Sequence, residues 1–164
     1  MFIREATEGD LPEIVRIYNS TVAGRMVTAD TEPVPVGSRL AWFREHKPGH
    51  RPLWVMVDEG RVIAWLSFQS FYGRPAYHGT VEVSLYVAPE SRQKGVGSAM
   101  LTFALTQCPA LGIKTLLGFI FGHNEPSLRL FKKFGFEEWG YMPRIAELDG
   151  VERDLAIVGK RIDA

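Results

Sequence analysis

The sequence predicts a single α/β domain built on a mixed sheet, and three observations carry that expectation. Its apolar patterns run in the order strand, two helices, antiparallel strands, two strand–helix units and a closing hairpin, an order that calls for helices packed on a sheet. The stretch Thr80 to Leu101, TVEVSLYVAPESRQKGVGSAML, passes from strand to basic glycine loop to helix. A length of 164 residues with 46% hydrophobic composition suits one domain, 1–164, with one core; no repeat, low-complexity tract or linker interrupts it.

In order along the chain, Met1 to Glu5 reads as an edge strand. Asp10-Leu11-Pro12-Glu13 fits a capping box, and Leu11, Ile14, Val15 and Tyr18 follow at helical spacing, so a helix is expected to begin near Leu11. Gly24 to Gly37 has two prolines and no period, which makes it a loop placed to line the mouth of a pocket. Ser38 to Glu45 reads as a second helix, stopped by Pro48-Gly49. Leu53 to Val57 and Val62 to Phe68 are strands joined by the turn Asp58-Glu59-Gly60-Arg61. Gln69 to Gly79, QSFYGRPAYHG, is an aromatic loop carrying Arg74; such an arginine either grips a carboxylate or is simply solvated. His78 is read as structural or surface.

Thr80 to Val87 is a strand with Thr80, Glu82 and Ser84 on one face. A helix then runs from about Ser98 to a stop at Gly112, followed by a strand over Ile113 to Phe121. Pro126 to Phe134 is a helix with Leu128 and Phe131 toward the core and Gly135 closing it. Trp139 to Met142 and Asp154 to Ile162 are closing strands joined around Asp149-Gly150.

Arg92-Gln93-Lys94-Gly95-Val96-Gly97, directly ahead of a helix, can turn backbone N–H groups toward one point where the helix dipole and two cations favour negative charge. That pattern fits a phosphate site; the other reading is a glycine-rich connection with no ligand. It lacks the third glycine of a dinucleotide fingerprint and the G-K-[ST] of a P-loop.

The chain has 19 basic and 19 acidic residues, so no basic surface argues for nucleic acid or an anionic membrane. Any phosphate must be held by local charge. The single Cys108 excludes an internal disulfide, makes a structural metal site a poor expectation and fits a reducing cytosol, where its role is packing. No apolar run resembles a secretory or membrane-spanning segment.

The R-x-x-G-x-G loop after a strand resembles the pyrophosphate loop of the GNAT superfamily of N-acetyltransferases. Asn124-Glu-Pro-Ser127-Leu-Arg-Leu-Phe131-Lys-Lys-Phe-Gly135-Phe136 resembles that superfamily's second hallmark, N-x-x-S/A-x-x-L-aromatic-x-x-x-G-F. The resemblance spans essentially the whole chain and implies a mostly antiparallel central sheet flanked by about four helices. Thr80-Val81-Glu82-x-Ser84-x-Tyr86-Val87, the FYGRPAY loop and Ile17-Tyr18-Asn19 are similar to the phosphinothricin and methionine sulfoximine acetyltransferase group. That likeness implies acetylation of the α-amine of small amino-acid analogues with acetyl-CoA as co-substrate, no metal, and a homodimer.

The resemblance also implies roles by position. Glu82 matches the base; Arg74, with Pro75 and Ala76, matches the substrate loop, and Ser84 shares the polar strand face with Glu82. Leu85, Tyr86 and Val87 match the strand edge that pairs with the pantetheine arm. Arg92, Gln93, Lys94, Gly95, Val96, Gly97 and Ser98 match the diphosphate loop, while Asn124, Ser127 and Lys133 match the cofactor side of the last helix. One position departs: Phe131 stands where these enzymes carry His or Tyr, so a side-chain acid is lost there.

The chemistry expected is direct transfer, with no Ser-His or Cys-His set for an acyl-enzyme. A buried Glu82 takes a proton from the amine and a backbone N–H polarises the thioester. Against it stand a carboxylate on the solvent face of its strand and, at the level of the whole chain, an acetyl-CoA sensor or a transferase for another amine.

Overall fold

The computed structural model describes residues 1–162. Seven strands, β1 (Phe2–Glu5), β2 (Leu53–Asp58), β3 (Arg61–Ser70), β4 (Thr80–Val87), β5 (Thr115–Phe121), β6 (Glu137–Leu148) and β7 (Val151–Arg161), form one sheet in the order β1-β2-β3-β4-β5-β7-β6. Neighbours are antiparallel except β4 and β5, which run parallel. Four α-helices are found among the described residues: α1 (Leu11–Asn19), α2 (Leu40–Glu45), α3 (Val96–Gln107) and α4 (Glu125–Lys133). The sheet is therefore mixed and mostly antiparallel, with helices on both faces, as expected.

Two packed layers explain why β2 and β3 are apolar at successive positions rather than alternate ones. Leu53, Val55, Val57 and Trp65 meet Ile14 and Ile17 of α1 on one face, while Trp54, Met56, Leu66 and Phe68 join Met100, Leu101 and Ala104 of α3 on the other. Strands covered on both sides lose the polar half of the alternation. The β2–β3 turn takes left-handed backbone at Glu59 (φ 50°) and Gly60 (φ 76°), the geometry that matches strand twist in a two-residue hairpin. Cys108 is fully buried, its Sγ 3.4 Å from the Ala104 carbonyl, and burial pushes its thiol up to about 11. It is a packing residue.

Several boundaries differ from the sequence expectation. Asp10 does not box with Glu13. It closes a short 3₁₀ turn, Glu8–Asp10, accepts the Thr7 N–H at 2.8 Å and takes both guanidinium nitrogens of Arg4 at 2.7 and 3.0 Å. A bidentate cation outcompetes a neutral N–H of its own helix for that carboxylate. α3 stops at Gln107 rather than Gly112, because Pro109 has no N–H to donate and its ring crowds the preceding turn. Gly112 (φ 69°) instead closes the next turn, with Ile113 N–H on the Cys108 carbonyl at 3.0 Å. The closing hairpin is much longer than Trp139–Met142 and Asp154–Ile162. Its pairing is interrupted between Met142 and Ala146, where Pro143 lies, and Arg144 N–H reaches Asp154 Oδ1 at 2.8 Å. A bulge accommodates the proline and lets an exposed, unpatterned stretch continue as strand.

The fold holds the Asp10 carboxyl below the ordinary aspartate range, chiefly through the Arg4 hydrogen bonds. Its contribution is thus present above that range and is lost as pH falls through the lowered value. With Arg4 partly solvated, Asp10→Asn is expected to cost about 1–2 kcal/mol at pH 7. Denaturant midpoints of the two proteins should converge in acid.

Candidate active site

β4 and β5 pair over three positions only, Thr80↔Thr115, Val81↔Leu116 and Glu82↔Leu117. Past Glu82 the strands part: β4 continues to Val87 on β3 alone, and β5 continues to Phe121 on β7. The β5-facing edge of β4 beyond Glu82 has no strand partner among the described residues. A cleft of about 550 Å³ opens there, floored by Leu85, Tyr86 and Val87 and walled by Asn124, Ser127 and Phe131. Thr21, Met26 and Val27 line it from the segment after α1, so the Gly24 to Gly37 loop does border the site.

At one end of this cleft the chain builds an anion cradle. Gln93 (φ 62°) and Gly95 (φ 77°) take left-handed backbone on either side of Lys94, an alternation that turns successive N–H groups inward. The N–H groups of Gly95, Val96, Gly97 and Ser98 meet no acceptor among the described residues; they are the four donors that the start of a helix leaves over. The two glycines are needed for different reasons. Gly95 supplies the positive φ, whereas a Cβ on Gly97 would lie 3.1 Å from Leu130 and 3.6 Å from Leu85. Gly97 thus lets α3 and α4 approach each other over β4. Arg92, Gln93 and Ser98 line the cleft, and Arg92 Nε donates to the Val87 carbonyl at 3.4 Å. Lys94 instead borders a separate cavity with Phe2, Met56 and Phe103.

Where the strands part, a crevice of about 110 Å³ is lined by Glu82, Ser84, Phe119, Asn124 and Phe131. Glu82 is half-buried, and burial pushes its carboxyl above the ordinary glutamate range. No cation pairs with it among the described residues. Burial without a cationic partner favours the protonated carboxyl and holds its proton nearer to neutral pH. Asn124 caps α4, its Oδ1 accepting the Ser127 N–H at 3.3 Å. Phe131 is 5% exposed, packed edge-on to Phe136.

On the α1 side of the sheet, Ser84 and Tyr86 also border a cavity of about 170 Å³ with Tyr18, Arg39, Trp42 and Ser67. Arg39 lies 4.8 Å above the Tyr18 ring and pairs with Asp30 at 3.2 Å. Tyr18 donates to Asp30 and bonds Thr28. These residues were not singled out from sequence, although Tyr18 belongs to a stretch that carried the resemblance. Nothing in local periodicity tells that Arg39, at the foot of α2, meets residues of α1 and β4.

Other expected residues stand apart. Arg74, Pro75 and Ala76 lie on an exposed turn beyond β3 and line none of the cavities described above. The base of that loop is held by buried Arg51, whose Nε donates to Ser70 Oγ at 2.8 Å and Nη2 to the His78 carbonyl at 2.6 Å. Lys133 is exposed in the last turn of α4, outside the cleft.

The sequence model of the Acetyltransferase (GNAT) family matches residues 14–136. A Bacillus subtilis (strain 168) protein named "Putative phosphinothricin acetyltransferase YwnH" is 56% identical over 163 residues, 99% of each chain. The L-methionine sulfoximine/L-methionine sulfone acetyltransferase of Pseudomonas aeruginosa is 32% identical over 162 residues, 98% of this chain and 94% of that protein. A crystal structure of a GNAT superfamily phosphinothricin acetyltransferase from Sinorhizobium meliloti in complex with AcCoA superposes with a TM-score of 0.91 at 31% identity, covering 98% of this chain and 87% of that one.

The cradle predicts a binding phenotype. Gly95→Ala forces a Cβ into left-handed backbone at about 1–2 kcal/mol and, if the loop relaxes to avoid it, should weaken acetyl-CoA binding by about tenfold. Calorimetric titration on a variant with an unchanged circular dichroism spectrum checks it.

Proposed function

Because the chain belongs to the GNAT acetyltransferase family, we propose that this acetyl-CoA-dependent N-acetyltransferase acts on the α-amine of a small amino-acid-like substrate by direct transfer. Phosphinothricin, L-methionine sulfoximine and methionine sulfone are the representative acceptors. The observation that carries this reading is Glu82, unpaired and half-buried, at the point where an open strand edge runs on toward an anion cradle.

Acetyl-CoA supplies the acetyl group as a thioester. The residues that would hold it fit its chemistry: orphan N–H groups from Gly95 to Ser98 with Arg92 suit a diphosphate, and the free edge from Leu85 to Val87 suits an amide-bearing arm. Glu82 takes a proton from the substrate ammonium, directly or through a water, leaving the amine free to attack. A free N–H of the β4 edge polarises the carbonyl under attack. Phe131 offers no proton, so the chain provides no acid at that helix position; a thiol of pKa about 8.5 leaves tolerably as thiolate. Positioning across the cleft then supplies most of the acceleration.

The substrate carboxylate is assigned to Arg74, with Pro75 and Ala76 shaping its turn; because that turn lines none of the cavities of its own chain, the pocket it serves is that of a second chain, and no carboxylate of the described residues pairs with Arg74. Lys94, within the loop, and Lys133, at the end of α4, line neither wall of the cleft; their assigned part is long-range positive charge toward the diphosphate. The enzyme is read as a cytoplasmic homodimer. Tyr72, 79% exposed, and Tyr77, 43% exposed, cluster with Phe71 beside Arg74, an aromatic patch suited to a second chain. Among the described residues no helix is long and apolar enough to cross a membrane.

Thiol release from acetyl-CoA with the three named acceptors tests the assignment, and no turnover on any of them removes it. Glu82→Gln is expected to lower kcat by about 10²-fold or more with little change in acetyl-CoA affinity. In the wild type, activity should rise with pH as Glu82 ionises, and this acid limb should lie above the ordinary glutamate range because its carboxyl is held there.

A further inference from the structure

The α1-side cavity contains a group that the transfer chemistry leaves unused. Ser67 is fully buried, and its Oγ has no hydrogen-bond partner among the described residues. An orphaned buried hydroxyl is costly to leave unpaired, and this one lines a cavity rather than a packed core. Around it the walls are aromatic: Trp65 stacks on Tyr86 at 4.6 Å, Trp42 meets Trp65 edge-on at 5.4 Å, and Tyr18 leans on Tyr86 at 5.2 Å. Arg39, a donor-only side chain, borders the same space.

Register ties this cavity to the base. Ser67 pairs with Ser84, and Gln69 with Glu82, two positions away on the same face. Two residues along a strand are about 6.8 Å apart. An extended path from an α-amine through two methylenes to an oxygen on the next atom covers about 6 Å. At about 170 Å³ the cavity is of a size that elsewhere admits roughly six heavy atoms.

We infer that this cavity is the side-chain pocket of the acceptor, with Ser67 and Arg39 as specificity-determining residues. It takes a short apolar stem tipped by oxygen acceptors on sulfur or phosphorus. The stem packs between the rings of Tyr18, Trp42 and Trp65, and the tip oxygens accept from Ser67 Oγ and the Arg39 guanidinium. The inference rests on the α-amine acetyltransferase reading and deepens it by naming what selects the substrate.

Methionine sulfone and methionine share one carbon skeleton and differ only in two oxygens, so their kcat/KM ratio reads the pocket. Wild type is expected to prefer the sulfone by at least tenfold. Ser67→Ala and Arg39→Met should each cut that ratio about tenfold; the first also relieves methionine of an orphaned hydroxyl. Binding is followed independently by fluorescence of Trp42 and Trp65. Ratios unchanged in both variants of an active enzyme overturn the inference and leave the transferase assignment standing. A wild-type preference below twofold also overturns it, since Ser67 then serves an interior water only. If no amine is turned over, the transferase reading falls, and the fluorescence titration decides the pocket. Saturable quenching by the sulfone that Ser67→Ala abolishes supports a binding role, and no quenching removes it.

Discussion

The separation of β4 from β5 after Glu82 is the constraint on which the site depends. A sheet that stays paired has no room for a ligand at its centre, and a strand that loses its partner exposes N–H and C=O groups that must be satisfied otherwise. Here each strand keeps one partner, β3 for β4 and β7 for β5, so parting costs only the bonds between them. Side chains hold the gap from beneath. Leu130 reaches under Gly97, close to Leu85, and Phe131 lies against Gly118. Absence of a Cβ at Gly97 is what allows α3 and α4 to pack this closely around the divergence, while at Gly118 it leaves room for Val158 of β7.

The same divergence sorts the chemistry by face and by end. Toward α3, the helix start offers unpaired N–H groups to an anion. Toward α1, the polar face of β4 brings Ser84 beneath an aromatic layer of Tyr18, Trp42, Trp65 and Tyr86, with Glu82 two residues before it on the same face. Tyr86 borders both compartments, and burial raises its phenol far above the ordinary tyrosine range, so it stays protonated. Between them sits Glu82, whose raised carboxyl follows from burial without a cationic partner. Had a cation been placed beside it, the group would be a better anion and a weaker base.

Two tethers show how much of the structure serves to hold loops around this centre. Arg25, itself left-handed at φ 54°, pairs with Asp149 of the β6–β7 turn at 2.9 Å, while its carbonyl bonds His123 Nε2 at 2.8 Å. The loop after α1 is thus fastened to the start of α4, both of which border the cleft. Arg51 does the same for the aromatic loop between β3 and β4, through Ser70 and the His78 carbonyl. Each tether joins residues far apart in the chain, and each is a polar side chain answering a backbone group that irregular structure leaves unpaired.

Local chemistry made the α3 cradle legible in sequence, since positive φ at Gly95 and leftover donors at a helix start are properties of a few adjacent residues. Strand alternation likewise put Glu82 and Ser84 on one face, and the capped, glycine-closed α4 was readable from Asn124 to Gly135. The ends of α3 and of the closing hairpin differ from the sequence expectation where Pro109 ends the helix and Pro143 lies at a break in the pairing. What only the tertiary structure decided was company: that Arg39, just before α2, lies over Tyr18 of α1, that Trp42 of α2 borders the same cavity as Tyr86 of β4, that Ser67 is left without a partner in that cavity, and that Arg74 stands outside it. Periodicity reports which face a side chain is on. Which other face it meets is set by how helices of unequal length pack across a twisted, splayed sheet, and no window of sequence contains that.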